Sequence, residues 1–162
     1  MNATKIAYFD LDGTLADRRH RSSYYLPDGR VDWAQVYAPE NIAKDPLLDT
    51  GYAHYQQLAA EGAEIHYLTA RKERNRPATA QWLADHGFPA ERLIMKPDTE
   101  ARHGSVWKLA WLETLIAERG QEGRTIVVID NSAQLLADLN RRAREDGWPV
   151  ETILADWLLP VT

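Results

Sequence analysis

Two aspartates separated by a single residue, at the end of an apolar run, are the residues in this chain best suited to chemistry. Ile6-Ala7-Tyr8-Phe9 leads into Asp10, Leu11, Asp12, Gly13 and Thr14, the pattern of a buried strand that ends at a polar site. Alternate residues of a strand share a face, so Asp10 and Asp12 project together while Leu11 turns back to the core. Two carboxylates side by side repel unless a cation or a shared proton relieves them. Gly13 permits a sharp turn, and Thr14 adds a hydroxyl at the edge. A second polar group, Thr69-Ala70-Arg71, closes the apolar run that starts at Glu64. A hydroxyl fixed on rigid backbone donates to an anionic oxygen without reorganising, and Arg71 offers a bidentate, permanently charged contact.

The elements that must position these groups alternate along the chain. Strands are predicted over 5–11, 64–69, 92–95, 124–129 and 150–154. Helices are predicted over 47–61 before Gly62, from Pro77 to Gly87, over 105–119 before Gly120, and around Leu135 to Ala143 before Gly147. The run Thr125-Ile-Val-Val-Ile129 is continuously apolar and suits a strand buried on both faces. Strands alternating with helices imply an α/β fold of three layers, with a central parallel sheet of about five strands covered on both faces. In such sheets ligands bind beyond the carboxyl ends of the strands, and Asp10, Thr69 and Asp130 all fall there. Between the first strand and the first long helix, about residues 16–46, Pro27, Gly29, Pro39 and Pro46 break any periodicity. This segment is expected to be an irregular insertion with one short helix near Asp32–Tyr37, too small for a capping domain.

Composition narrows the class. The chain has 162 residues, 44% hydrophobic and 27% charged, with a net charge of −5; one domain spanning 1–162 is expected. The acidic balance argues against a general polyanion-binding surface, though not against a local basic patch. There are no cysteines, so thiolate chemistry and disulfides are excluded. No apolar run is long enough to span a bilayer and no apolar leader precedes the first strand, so a cytoplasmic location and no membrane partner are expected. The five histidines show no metal-ligand spacing. A weak homo-oligomer is compatible with the sequence.

The run Asp10-Leu-Asp12-Gly13-Thr14 resembles the DxDGT signature of the haloacid dehalogenase (HAD) phosphohydrolase superfamily. Thr69, Lys108 and Asp130 follow in the order of that superfamily's remaining motifs. The chain is similar in particular to the phosphatase half of phage-type polynucleotide kinase phosphatases. That likeness rests on Asp10-Leu-Asp-Gly-Thr-Leu-Ala-Asp17, His20-Arg21, Asp32-Trp33, Thr69-Ala70-Arg71 followed by Thr79 and Trp82-Leu83, and Leu93-Ile-Met95 with Arg102 and Lys108. The kinase half has no counterpart, since no G-x-x-x-x-G-K-[ST] phosphate loop is present. Two positions depart from the pattern: His103-Gly104-Ser105 stands where the phage enzymes carry acidic residues, and Asn131 where they carry a second acid.

The resemblance implies a Rossmann-like HAD fold and an Mg²⁺-dependent phosphomonoesterase. Asp10 would be the nucleophile, and Asp12 the general acid and base. Thr14, Thr69, Ala70, Arg71 and Lys108 would bind the phosphoryl group, with Lys96 a competitor for the lysine role. Asp10, the Asp12 backbone carbonyl, Asp130 and Asn131 would hold the metal; Asp130-Asn131 also suits a helix N-cap. The implied substrate is a phosphorylated nucleic-acid end or a nucleotide. Arg18, Arg19, His20 and Arg21, with Tyr24 and Tyr25, combine charge and aromatic faces suited to its phosphate and bases. A phosphatase of another small metabolite and a non-catalytic module that binds phosphorylated ends are the alternatives.

Overall fold

The computed structural model describes residues 4–158; the remaining residues of the expected 1–162 domain lie outside them. Five strands, β1 (Lys5–Phe9), β2 (Glu64–Lys72), β3 (Leu93–Lys96), β4 (Thr125–Asp130) and β5 (Val150–Leu154), form one parallel sheet in the order β3-β2-β1-β4-β5. The strand-helix alternation predicts this sheet, and β1 is its central strand. From β1 the chain builds β2 and β3 on one side, then crosses to β4 and β5 on the other. The order therefore reverses beside β1, which opens a crevice beyond the carboxyl ends of β1 and β4.

The period of two along the strands divides the core into two faces. Ala7, Phe9, Val127 and Ile129 bury against one apolar cluster, which includes Leu58, Trp82, Leu83 and Phe88 from the helical side. Ile6, Tyr8, Ile126 and Val128 bury against the other, with Trp107, Leu112, Ile116, Leu136 and Leu139. Four helices supply these covers. Two short ones precede them in the insertion, α1 (Trp33–Val36) and α2 (Pro39–Ile42); α3 (Asp49–Ala60) and α4 (Arg76–Asp85) cover the first face, and α5 (Gly104–Arg119) and α6 (Ala133–Asp146) the second. Ser132 caps α6 through its side chain, and Gly147 ends it with φ +71°. No helix among the described residues is long and apolar enough to cross a membrane.

The insertion is more ordered than its prolines suggest. A 3₁₀ segment over Arg19–Tyr24 precedes α1, and an antiparallel bridge joins Tyr25 to Val31. Ile42 is fully buried in the core, and the Trp82 indole donates to the Asp45 carbonyl at 2.9 Å. Buried anchors, and not local periodicity, hold this segment on the body. The second strand also runs past its expected stop at Thr69. Its pairing with β3 shifts register between Thr69 and Lys72, an irregularity that re-aims side chains at the strand end.

After β1 the chain folds back tightly: the N–H groups of Thr14, Leu15 and Ala16 all donate to the Leu11 carbonyl, and Gly13 takes φ +82°. Helix α3 crosses this turn at Gly51, where a Cβ would collide with the Thr14 carbonyl oxygen. That oxygen also accepts a hydrogen bond from the Trp157 indole at 3.0 Å. Gly51→Ala is expected to lower stability by about 1–3 kcal/mol through overpacking against backbone. Urea denaturation would check this, and an unchanged midpoint would contradict the close packing of α3 on the turn.

Candidate active site

At the carboxyl edge of the sheet, Asp10 follows β1 and Asp130 ends β4. The two strands are direct neighbours, and the Asp10 N–H donates to the Ile129 carbonyl at 2.9 Å. Both carboxylates are buried. Lys108, one turn into α5, reaches between them, with Nζ 2.8 Å from Asp10 Oδ1 and 2.7 Å from Asp130 Oδ2. Its rival Lys96 instead donates to the Arg102 carbonyl at the cleft rim. Helix α5 comes this close because residue 104 is glycine: a Cβ there would lie 2.7 Å from the Ala70 Cβ. This gives the Gly104 departure from the acidic pattern a steric reason.

Burial pushes the Asp10 carboxyl up to about 7; the Asp130 charge adds to this and Lys108 opposes it. Lys108 is held above its ordinary value. Burial alone would lower it, but the two carboxylates outweigh burial.

A second group of charges surrounds Asp12. Arg71 grips it bidentately, Nε to Oδ2 at 3.1 Å and Nη2 to Oδ1 at 2.6 Å, and Arg21 Nη2 adds a third contact at 2.8 Å. Arg71 and Arg21 are both almost wholly buried, and both also bond Asp45 Oδ2, at 3.4 and 2.8 Å. Burial works to raise the Asp12 carboxyl, but the charge and hydrogen bonds of Arg71, then the charges of Arg21 and Arg18, hold it well below the usual carboxylate range. Arg71 therefore spends its fork on Asp12 and not on open cleft. Thr69, buried at the register shift, accepts the Arg71 N–H on Oγ1 at 3.1 Å, which leaves its own hydrogen free to donate. Thr14 is buried with Oγ1 3.5 Å from Asp10 Oδ2.

The four insertion residues expected to meet substrate part company. Arg18 lines the cleft. Arg19 is exposed and pairs with Asp17. His20 Nε2 lies 2.6 Å from Asp45 Oδ1, and Arg21 is buried in the Asp12 cluster. The side chains of Arg21 and His20 turn inward because Asp45 is there to receive them. Asp45 itself escaped the sequence reading: it is one aspartate before Pro46, outside any motif, and only the fold brings it to Asp12.

Asn131 follows Asp130, with one of its amide atoms 3.0 Å from Asp10 Oδ2 and 3.3 Å from Asp130 Oδ1. With NH₂ on that side it hydrogen-bonds both carboxylates. With its oxygen there, three oxygens converge on one point, the donor set that a hard divalent cation takes. Residue 13 must be glycine beside it, since a Cβ would strike the Asn131 amide. No cluster of three acidic or histidine side chains forms a metal site among the described residues, so any cation here would draw on this mixed set of carboxylate, amide and backbone oxygens. Above lies an open cleft of about 930 Å³, lined by Asp10, Asp12, Thr69, Ala70, Lys108 and Asp130 at its floor.

Residues 4–145 match the family profile described as the polynucleotide kinase PNKP phosphatase domain. No curated protein sequence matches the chain. Among solved structures, a chain of the Pnkp1/Rnl/Hen1 complex is similar at 19% identity and TM-score 0.64, over 95% of this chain and 47% of that one. The class C acid phosphatase from Bacillus anthracis, solved with tungstate bound, is similar at 16% identity and TM-score 0.62, over 96% of this chain and 68% of that one. The HAD domain of the effector Lem4 from Legionella pneumophila follows at 14% identity and TM-score 0.55, over 93% and 85%. At these identities the likeness is one of fold, and the chain spans about half the length of the Pnkp1/Rnl/Hen1 chain it matches.

Two outcomes are expected from this arrangement. Asp45→Ala would leave two buried guanidinium groups short of a counter-charge and is expected to cost about 3–5 kcal/mol in chemical denaturation; a loss below about 1 kcal/mol would show that the cluster is not coupled. The second concerns pH. Between its ordinary 3.8 and about 7, Asp10 keeps a proton that the unfolded chain has lost, so stability falls as pH rises through that window and levels above it. Asp12, depressed, acts oppositely and only below 3.8. In metal-free buffer, the difference in unfolding free energy between wild type and Asp10→Asn should carry this slope; a flat difference from pH 4 to about 7 would contradict the raised Asp10.

Proposed function

The chain belongs to the family of HAD-type polynucleotide kinase phosphatase domains, and on that footing we propose that it folds as a single phosphatase domain and is a magnesium-dependent phosphomonoesterase. Its substrate on this reading is a terminal phosphate on a nucleic-acid end or a nucleotide. One observation carries it: a buried carboxylate, Asp10, lies at the floor of an open cleft with an ammonium 2.8 Å away and a second carboxylate across that ammonium.

Asp10 attacks phosphorus. The bond to the leaving alkoxide breaks, an aspartyl-phosphate forms, and water then hydrolyses it. Lys108 reduces the repulsion between the Asp10 carboxylate and an incoming phosphate dianion. The free hydrogen of Thr69 Oγ1 donates to a phosphoryl oxygen. Mg²⁺, held by Asp10, Asp130, the Asn131 oxygen and the Asp12 carbonyl, would supply positive charge against the phosphoryl oxygens when bound.

Asp12 has two tasks, to protonate the leaving alkoxide and to activate the water. The second suits the ionised form that Arg71 and Arg21 favour. The first needs a proton, and a phosphate dianion arriving beside the carboxylate pushes it toward the protonated form. The acid form of Asp12 therefore belongs to the substrate complex; passing its proton to the leaving alkoxide leaves the carboxylate, which Arg71 and Arg21 stabilise and which then takes a proton from the attacking water. Monoester hydrolysis is slow enough uncatalysed that the site has to supply on the order of 20 kcal/mol of barrier reduction, most of it from positioning and these fixed charges.

Asp10→Asn is expected to lower phosphate release by roughly three orders of magnitude or more with cooperative unfolding retained. The assay is Mg²⁺-dependent release from oligonucleotides labelled at either end, set beside free nucleotides and a sugar phosphate. Full activity in the variant would remove Asp10 as nucleophile; turnover of the sugar phosphate alone would remove the nucleic-acid substrate.

A further inference from the structure

The cleft has charge at its floor and aromatic rings on one wall. Seven lysines and arginines line it against three aspartates, on a chain whose net charge is −5. Three of the seven are committed, Arg71 and Lys108 to Asp12 and Asp10 and Arg102 to Glu100. The side chains of Lys72 and Arg74 on the same lining make no hydrogen bond or ion pair among the described residues, so this wall offers positive charge to a chain of phosphates.

The aromatic wall is Trp33, the first residue of α1. Among the described residues it is the most exposed large apolar side chain, at 54%, and it lines the cleft. One face of the indole stacks on Tyr37, with centroids 6.1 Å apart and planes 9° from parallel. The Tyr25 ring meets it edge-on at 6.0 Å. Tyr37 in turn has the Arg21 guanidinium 5.8 Å from its ring centre. Arg21 also donates to the Val36 carbonyl of α1 at 2.9 Å and to Asp12 at 2.8 Å. A series of planar groups thus runs from the indole to the carboxylate beside the nucleophile, and a single buried arginine sets the distance between α1 and the site.

An indole left in water at the rim of a cationic cleft suits a partner that is itself flat and carries phosphate. We propose that Trp33 is a base-stacking subsite: the nucleobase of the phosphorylated terminal nucleotide lies on the exposed part of the indole while its phosphate reaches Asp10. This rests on the reading of the cleft as a nucleotide phosphatase site and adds what selects the substrate there. A nucleobase adds one more plane to the Trp33–Tyr37 stack, a sequence-tolerant contact because every base has a π-face. Any phosphodiesters that follow run toward the free cations Lys72 and Arg74. A free nucleotide presents the same base and phosphate without that chain, so both sources meet the same indole and only the longer one meets the two cations.

The test is steady-state kinetics of the full chain with Mg²⁺, comparing wild type, Trp33→Ala and Trp33→Phe. The substrates are an end-phosphorylated oligonucleotide, the same oligonucleotide with an abasic terminal residue, a nucleoside monophosphate and glycerol phosphate. Wild type is expected to prefer the base-bearing end over the abasic one. Trp33→Ala is expected to lower kcat/KM on the base-bearing end by on the order of tenfold, mainly through KM, and to erase that preference, while Trp33→Phe restores most of it. A matching loss on the nucleoside monophosphate assigns the subsite to the base alone; a loss confined to the oligonucleotide assigns it to strand ends. Equal losses on base-bearing and abasic ends, or no loss on either, overturn the stacking role and leave the phosphatase reading standing. Wild-type turnover of glycerol phosphate with none of the nucleotide substrates overturns the stacking role and the nucleotide substrate together, with the phosphomonoesterase chemistry retained.

Discussion

Two carboxylates at the ends of adjacent parallel strands, nearly buried at the floor of the cleft, share one ammonium. Asp10 and Asp130 cannot both be charged there without Lys108, which lies within 2.8 Å of each, and the rest of the molecule is arranged to bring that ammonium to them. Helix α5 must start beside the end of β2, which demands a residue without a side chain at position 104. Its apolar face, with Trp107 and Leu112, must lie on Tyr8 and Leu68 of the sheet. The sheet order places β1 and β4 side by side, so the pairing that makes the core also creates the electrostatic problem that Lys108 relieves.

Around Asp12 the opposite balance holds. Two buried arginines meet two carboxylates, Asp12 and Asp45, with Asp45 wholly enclosed and Asp12 partly open to the cleft. Asp45 lets the guanidinium groups be buried at all, and their fixed forks hold Asp12 in one orientation. The insertion is the source of Arg21 and Asp45. It folds over Asp12 without closing the cleft, and its own anchors, Ile42 in the core and the Trp82–Asp45 hydrogen bond, keep the arginine network rigid. A short insertion therefore does two jobs: it orients a carboxylate beneath the cleft and presents an aromatic wall above it.

The surface charge follows the same logic. A chain of net charge −5 repels polyanions at long range, yet its cleft collects cations, of which Arg71, Lys108 and Arg102 are paired with carboxylates while Lys72 and Arg74 make no ion pair among the described residues. Local charge, within a Debye length of about 8–10 Å, decides what enters. On the proposed reading, a cation would draw on the same groups. Asn131 can turn its oxygen or its nitrogen to Asp10 and Asp130, so one side-chain amide can complete a cation's donor set or hydrogen-bond the empty carboxylates.

The order of apolar runs and their turn residues was enough to determine a parallel α/β sheet, because periodicity is local and each buried strand must be apolar along its own length. Asp10, Asp12, Thr69, Lys108 and Asp130 were also legible, since strand ends in such a sheet face one crevice and their spacing matches a known motif order. What the linear pattern left open depends on partners far apart in the chain. Spacing favours Lys108 over Lys96, and helix placement is what brings the Lys108 ammonium between Asp10 and Asp130. Arg21 and His20 read as a solvated basic run, but Asp45, 24 and 25 residues away, draws them inward. Trp33 was separable from core aromatics only once the insertion was laid over Asp12. Tertiary structure decided these because burial, counter-charge and stacking are properties of what a side chain meets, and the chain's order alone does not say what that will be.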